Sequence, residues 1–255
     1  MAVIAALLES RTAIVALRRA LPRGGPALAS CRGPQALARL LESRLVEAIV
    51  TAPRVTAAPE VAELLRSFPE IPRLMYAAFR PDDGELLLAC ARDSAGIAVE
   101  GVDDAVLGEI LARLSLSAER RREMVDAPRV LRLSEPLQRE VWIYLLAHVA
   151  QPVRTAEVAR RFRVSREHLS RQFGAGGAPN LKRVIDLTRV ACAAQLLKNP
   201  GYTTDAVARI LNFASSSHLS DTARRVAGVS ARGLSAVGPR GVLSAFVKGK
   251  TRSRA

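Results

Sequence analysis

Residues 156–173 of this chain read AEVARRFRVSREHLSRQF. Apolar residues recur at three- and four-residue intervals up to Phe162, and Thr155 stands where it can cap such a helix. The helical pattern breaks after Phe162, and Ser165 then provides an N-cap for a second helix that ends near Phe173. The stretch therefore predicts two short helices joined by a tight turn, which is a helix-turn-helix unit.

A second stretch with the same arrangement follows at residues 202–230, which read YTTDAVARILNFASSSHLSDTARRVAGVS. Asn212 suits the turn because Asn tolerates the left-handed backbone conformation. The candidate N-caps of its two helices are Thr203 or Thr204 and Ser215 or Ser216. The sequence thus predicts two helix-turn-helix units in one chain.

Two longer helices are predicted around these units. Residues 184–197, VIDLTRVACAAQLL, belong to a helix from about Leu181 to Lys198 that the Asn-Pro-Gly at 199–201 ends. Another amphipathic helix runs from Pro136 to His148. A rigid helix between the two units would present two recognition helices to successive major-groove segments of one duplex.

These stretches together resemble the DNA-binding domain of the AraC-type (AraC/XylS) transcription regulators, over about Leu137 to Leu234. The resemblance implies sequence-specific binding of double-stranded DNA. Carried over by position, the DNA-binding residues are Ser165, Arg166, Glu167, Ser170 and Arg171 in the first unit, and Ser216, Ser217, Ser220, Asp221 and Arg224 in the second.

The sequence departs from the family pattern at several positions. The family usually has Gly where Arg163 and Asn212 stand, a basic residue at Asp221 and a Phe at Ala223. An acidic side chain is repelled by phosphates, although it can accept from a cytosine amino group. A small residue in place of Phe thins the core beneath the helix. We therefore expect the second unit to be the weaker reader of DNA.

The charge of the chain is concentrated in the same half. Residues 128–255 carry 22 Lys and Arg against 7 Asp and Glu, whereas residues 1–127 carry 16 against 17. A basic module joined to a neutral one favours a polyanionic partner, with nucleic acid first. Residues 239–255 are basic and rich in Gly and Ser, and they are expected to form a disordered tail.

The N-terminal half alternates apolar runs with helical patterns. The apolar runs are Ala2 to Leu8, Ala27 to Ser30, Ala48 to Val50, Leu74 to Ala78 and Ile97 to Val99. The helices between and after them are Thr12 to Leu21, Pro34 to Leu45, Pro59 to Ser67, Gly84 to Arg92 and Ala105 to Leu114. Five β-α pairs predict a parallel sheet covered by helices on both faces, and they resemble the response-regulator receiver fold.

The catalytic residues of a receiver are not found in this sequence. The end of the third strand has Thr51-Ala52-Pro53 instead of a phospho-accepting Asp, only Glu9 follows the first strand, and Glu100-Gly101 stands where a Lys is needed. Acyl-phosphate chemistry then lacks its nucleophile and its magnesium ligands. The acids Asp82, Asp83, Asp103 and Asp104 fall in predicted loops and are interpreted as turn residues.

No other catalytic or cofactor-binding pattern is present in the sequence. Cys31, Cys90 and Cys192 lack the spacing of a zinc site or a disulfide framework. There is no GxSxG, Walker or dinucleotide-binding motif. We therefore expect no enzyme activity, no metal and no cofactor.

The predicted organisation has four parts. They are an α/β receiver-like (βα)5 domain at residues 1–115, a linker at 116–135, an all-α domain with two helix-turn-helix units at 136–238, and the tail. The linker is expected to be a helical or extended connector, or alternatively a dimerisation helix. The sequence has no stretch long and apolar enough to span a bilayer, and the cysteine usage fits a reducing cytoplasm.

The preferred interpretation is a cytoplasmic, sequence-specific transcriptional regulator whose first domain senses a signal or dimerises without being phosphorylated. A homodimer would form through residues 74–114, and RNA polymerase is a further candidate partner. Two alternatives remain open: an architectural DNA binder without regulatory input, and a small-molecule enzyme anchored to nucleic acid. The sequence does not specify the operator, the signal or the direction of regulation.

Overall fold

The computed structural model describes residues 2–252. Two compact units are distinguished. The first takes in the chain up to Glu119 together with Asn199–Gly201, and the second is formed by Arg120–Lys198 and the residues from Tyr202 onward. The division falls inside the stretch that was predicted as a linker.

The first unit contains a five-stranded parallel sheet with strand order β2-β1-β3-β4-β5. Its strands are β1 (Ala2–Leu7), β2 (Ala27–Ser30), β3 (Leu45–Thr51), β4 (Arg73–Ala77) and β5 (Gly96–Val99). Every residue of β3 is buried, as expected for a central strand covered on both faces. The order and the parallel pairing confirm the predicted receiver-like α/β fold.

The helices of this unit follow the predicted sequence positions closely. They are α1 (Arg11–Ala20), α2 (Pro34–Ser43), α3 (Pro53–Thr56), α4 (Pro59–Arg66), α5 (Gly84–Ala91) and α6 (Leu107–Leu114). The one-turn helix α3 was not predicted, because four residues carry too little periodicity to be recognised. Helix α5 differs from the others because six of its eight residues are apolar and yet none is buried.

Two helices occupy the predicted linker, α7 (Leu116–Glu123) and α8 (Ala127–Val130). Arg120 is completely buried in the second unit, where its Nη1 donates to Oε1 of Gln195 over 2.6 Å. Met124, Ala127 and Leu131 are also fully buried. The stretch is therefore helical and built into folded structure.

The second unit is all-α, as predicted: its described residues form helices joined by turns and loops, with no strand. Its remaining helices are α9 (Pro136–Ala147), α10 (Thr155–Arg161), α11 (Arg166–Gln172), α12 (Leu181–Leu196), α13 (Thr204–Ile210), α14 (Ser216–Ala227) and α15 (Leu234–Arg252). Helix α12 forms the centre of this unit, with twelve of its sixteen residues buried. Helices α9, α13, α14 and α15 pack against it.

The expectation of a disordered tail at residues 239–255 was wrong for the part that the structure describes. Helix α15 continues through Arg252, with a break at Gly238, whose φ is 64°, followed by Pro239. Its Val242, Leu243 and Phe246 are buried. These three apolar residues lie on one face of a helix, and burying that face outweighs the flexibility that Gly and Ser suggested. Residues 253–255 lie outside the described range.

Candidate nucleic-acid interface

The first helix-turn-helix unit is built from α10 and α11. Ser165 caps α11, and its Oγ accepts the backbone N–H of His168 at 3.0 Å. Arg163 makes the turn with φ at 54°, a left-handed conformation that costs a non-glycine residue about 1 to 2 kcal/mol. Leu169 and Phe173 are fully buried beneath α11. The burial of one face of α11 fixes which side chains point away from the core.

The five residues predicted for this unit all lie on the exposed side. Ser165, Arg166, Glu167, Ser170 and Arg171 are exposed. Among the described residues, none forms a hydrogen bond or ion pair with the side chains of Arg166, Glu167 or Arg171. Arg171 can therefore offer its planar fork of donors to a phosphate or a guanine edge without breaking an internal contact.

The C-terminal end of α11 is held by α9. The buried side chain of Gln138 donates from Nε2 to the carbonyl oxygen of Gln172 at 2.6 Å, while its Oε1 accepts the backbone N–H of Glu135 at 3.0 Å. Both polar ends of this amide are thus satisfied in the core. The arrangement supports the recognition helix at the end opposite to its cap.

The turn of the second helix-turn-helix unit is held by contacts from other parts of the domain. Asn212 has φ at 56°, as expected for this position, and its Nδ2 donates to the carbonyl oxygen of Ala150 at 2.8 Å. Arg189 of α12 donates from Nε and Nη2 to the carbonyl oxygen of Leu211, at 3.1 and 2.7 Å. Its guanidinium carbon lies 3.9 Å from the ring centroid of Phe213. These contacts fasten the turn to the central helix.

Arg189 was not identified from the sequence. Desolvation lowers the pKa of its guanidinium, with Asp186 acting in the opposite direction. A second contact that sequence reasoning missed joins Arg225 of α14 to Asp186 of α12, with Nη2 and Oδ2 2.9 Å apart. Neither pair has a sequence signal, because the partners lie on different helices at unrelated spacings.

Some of the residues predicted for the second unit are exposed, and others have internal partners. Ser217, Asp221 and Arg224 are exposed, and Ser216 is half-buried at the first position of α14. The Oγ of Ser220 accepts the backbone N–H of Ala231 at 3.2 Å, so this hydroxyl already has an internal partner. Asp221 and Arg224 are paired with each other at 2.9 Å. Compared with α11, α14 presents a more serine-rich and internally neutralised surface.

The core beneath α14 is closed despite its small residue. Ala223 and Leu219 are both fully buried. Helices α12 and α15 both pack against α14. Helix α15 thus covers the core beneath α14, where Ala223 was expected to leave it thin.

In the α/β unit, a cleft of about 550 Å³ lies at the carboxyl ends of the strands, where ligands of open α/β sheets bind. Thr51 is buried there, and its Oγ1 lies 2.7 Å from Oγ1 of Thr56. The carboxylate of Glu100 accepts hydrogen bonds from the hydroxyls of Ser10, at 2.7 Å, and of Thr12. At two of the receiver positions, Thr51 and Glu100 are thus hydrogen-bonded to neighbouring hydroxyls.

The four loop acids also have internal partners. Asp83 accepts from the backbone of Arg80 at 2.9 Å and from Nε of Arg54 at 3.0 Å, and the pKa of its carboxyl is lowered chiefly by the Arg80 N–H. Asp104 accepts from the hydroxyl of Tyr76 at 2.5 Å, which lowers the pKa of the acid. Burial first, and then this bond, raise the pKa of Tyr76.

The other two acids behave in the same way. Asp103 accepts the backbone N–H of Val99 at 2.7 Å, and Asp82 lies 3.2 Å from Arg54. These acids shape the loops, as their interpretation as turn residues implied.

The described residues contain neither a metal-binding cluster nor a membrane-spanning helix. Within residues 2–252, no group of three or more His, Cys, Asp or Glu side chains could hold a metal ion. Over the same range, no helix is both long enough and apolar enough to cross a bilayer.

Residues 158–235 match the family described as "Helix-turn-helix domain", which confirms the AraC-type helix-turn-helix domain that the sequence resembled. The chain is similar to an uncharacterized HTH-type transcriptional regulator, YfiF, of Bacillus subtilis (strain 168). The two are 24% identical over 163 residues, which is 60% of this chain and 51% of that protein. This chain thus spans about half the length of that relative.

Among solved structures, the chain is similar to full-length FixJ from B. japonicum. The identity is 15% and the TM-score 0.36, with 87% of this chain and 95% of that chain covered.

Proposed function

We propose that this chain is a transcriptional regulator that reads double-stranded DNA through α11 and α14. The observation that carries the proposal is the exposed face of α11, where Arg166 and Arg171 have no internal partner among the described residues. This face belongs to a helix-turn-helix domain within a segment that has 22 basic and 7 acidic residues. Basic residues on a capped helix of this kind suit phosphates and base edges in the major groove.

We propose unequal roles for the two units. The first supplies specific contacts through Ser165, Arg166, Glu167, Ser170 and Arg171. In the second, Ser216, Ser217 and Arg224 contact the duplex, while Ser220 and Asp221 are partly committed to internal bonds. The second unit then contributes orientation more than sequence discrimination.

We further propose that the α/β domain works without phosphorylation. Its support is the absence of a carboxylate at the end of β3, where the hydroxyl of buried Thr51 is bonded to Thr56. In addition, Glu100 would repel a phosphoryl group at the position where a cation is required. The domain is then an input or dimerisation module, and no residue of the chain is assigned a catalytic role.

We propose that the α/β domain acts by dimerising through residues 74–114. Exposed apolar side chains are concentrated there: Leu88 is 72% exposed, Ile97 42%, Val102 75% and Val106 45%. Strand β5 is also an edge of the sheet. A homodimer would bring two DNA-binding domains together and raise their effective concentration on one operator. A cytoplasmic location and contact with RNA polymerase belong to the same proposal.

An architectural DNA binder is the second candidate function. The paired Asp221 and Arg224 favour it, because a neutralised recognition helix contributes little to base reading. Both candidates predict a steep dependence of affinity on salt, since both neutralise phosphates. Only a regulator keeps a large ratio between specific and non-specific affinity.

The experiment that separates them starts by selecting duplexes from a random pool with the full-length protein. Affinity is then measured for the best duplex and a scrambled duplex of equal composition, at several salt concentrations. A regulator should bind the selected duplex about 10³-fold or more tightly. A ratio near one at every salt concentration would assign the architectural role instead, and no binding to either duplex would reject both.

A further inference from the structure

A second cavity of the α/β unit lies apart from the cleft at the carboxyl ends of the strands. It is a groove of about 360 Å³ lined by residues of α3, α4, α5 and the beginning of β4. This volume is at the lower end of the range of about 300 to 1,000 Å³ that small-molecule sites occupy. None of the residues that line it is among those proposed to bind DNA, and among the lining residues Thr56 also bonds Thr51 at a receiver position.

One wall of this groove is an apolar helix that lacks a core of its own. Helix α5 reads GELLLACA, and none of its residues is buried. Leu86 and Ala89 of α5 and Ala62 and Leu65 of α4 are the apolar helix residues among those that line the groove, together with Ala57 between α3 and α4. Apolar side chains gain roughly 25 cal/mol per Å² when they are removed from water. An apolar occupant would therefore complete the packing between α4 and α5.

The other feature of the groove is its charge. Arg66, at the end of α4, and Arg73, at the beginning of β4, both line it, and Asp93 is the acid among its lining residues. Within the part of the chain that the structure describes, neither guanidinium has a hydrogen bond or an ion pair closer than 4 Å. Arg73 is half-buried, and desolvation lowers the pKa of its side chain more than Asp93 raises it. A partly desolvated cation that has no hydrogen-bonded acid favours an anion beside it.

From this combination we infer that the groove between α4 and α5 binds a small organic carboxylate with an apolar body. The carboxylate would lie against Arg73 and Arg66, and the body would be covered by Leu65, Leu86 and Ala89. A planar guanidinium matches a carboxylate in a two-bond geometry. An organic carboxylate would then be the class of signal for the proposed input domain. This regulatory meaning rests on the proposed function.

One residue of the groove, Cys90, can be used to measure whether the groove is occupied. Cys90 lines it and is half-buried, whereas Cys31 and Cys192, the other two cysteines of the chain, are buried. The rate at which iodoacetamide alkylates Cys90 in the full-length protein therefore reports on occupancy of the groove. This measurement involves no DNA, so it can fail or succeed independently of the proposed regulator function.

The probes are benzoate and octanoate, each compared with its uncharged amide at millimolar concentration. Both carboxylates, or one of them, should slow alkylation of Cys90 at least threefold, and the matching amide should have little effect. Arg73→Gln should abolish the protection, and Arg66→Gln should weaken it. The control Arg44→Gln removes an exposed arginine that lies outside the groove and should retain full protection.

Burial, and then Asp93, raise the pKa of the Cys90 thiol, while Arg73 acts in the opposite direction, so loss of Arg73 changes the basal rate. Rates are therefore compared with and without probe for each variant. Absence of protection by both carboxylates would overturn the inference. Equal protection by carboxylates and amides would overturn the assignment of an anion. If Arg73→Gln does not fold, protection in Arg66→Gln that equals the protection in Arg44→Gln would overturn the assignment of an anion.

Discussion

Nη1 of Arg224 lies 2.9 Å from Oδ1 of Asp221, one turn away on the same face of helix α14. Side-chain exposure is 61% for Arg224 and 70% for Asp221, so the pair contributes at most about 1 kcal/mol to stability. Its larger consequence is electrostatic, because the acid neutralises the cation that the recognition helix would offer to DNA. Under the proposed function, this pair would limit the affinity of the second helix-turn-helix unit for DNA.

Replacing Asp221 by Asn should therefore tighten DNA binding. We expect the affinity for selected and scrambled duplexes to rise together, by about 1 kcal/mol, as a repulsion of phosphates is removed. The matched control is Asp205→Asn, which removes an exposed acid from α13 and should change affinity less. Loss of specific binding with unchanged non-specific binding in Asp221→Asn would instead identify Asp221 as a base reader.

Arg171 is the side chain on which specificity is expected to depend most. Arg171→Ala should cost about 1 to 3 kcal/mol of binding free energy and relax sequence preference at one or two base pairs, because a bidentate contact to a base edge is lost. Repeating the duplex selection with the variant shows which positions relax. Arg139→Ala, an exposed arginine of α9, serves as the charge control. A uniform loss across all sequences would make Arg171 a phosphate contact.

The left-handed turn residue Arg163 gives a prediction about stability. Arg163→Gly should stabilise the all-helical domain by about 0.5 to 1 kcal/mol, since glycine adopts a φ of 54° without strain. Arg161→Gly, at the end of α10, should destabilise it by a similar amount because its backbone is helical. Trp142, the one tryptophan of the chain, lies buried in α9, so its fluorescence during urea unfolding reports on this unit. Equal effects of the two variants would contradict the strain argument.

The α/β domain should not accept a phosphoryl group. Incubation of the full-length protein with acetyl phosphate and Mg²⁺ should leave its intact mass unchanged. Thr51→Asp should not restore the reaction, because Glu100 remains hydrogen-bonded to Ser10 and Thr12 where a cation is required. A stable adduct on the natural sequence would refute the phosphorylation-independent role.

Ile97 tests the proposed dimer. It is 42% exposed on the edge strand β5, and Ile97→Lys should raise the dimer dissociation constant at least tenfold, because it places a charge in the apolar face without disturbing the core. Ile143→Lys, at a 59% exposed position of α9, provides the control. Sedimentation of the full-length protein at tens of micromolar supplies the measurement. A natural protein that stays monomeric at those concentrations would remove dimerisation from the proposed function.

Much of the fold could be predicted because its signals are local. The five β-α pairs are set by alternating apolar runs and helical periods, and the observed strands begin and end within about three residues of the predicted ones. The turns of both helix-turn-helix units were placed correctly by their caps, Ser165 and Ser215. Helix α15 was missed because its apolar face, which contains Val242 and Phe246, is spread among Gly and Ser.

By itself, the sequence determined the order of the elements, the two helix-turn-helix units and the residue types at the receiver positions, such as Thr51 and Glu100, since each depends on residue types at fixed short spacings. Tertiary structure decided which of the predicted surface residues are free to bind. Ser220 is engaged by Ala231 and the turn at Asn212 is held by Arg189, through contacts between different helices. The groove with Arg73 exists only because residues of α3, α4, α5 and β4 are brought together in the folded chain. Such pairings depend on the relative position of whole elements, which local periodicity does not encode.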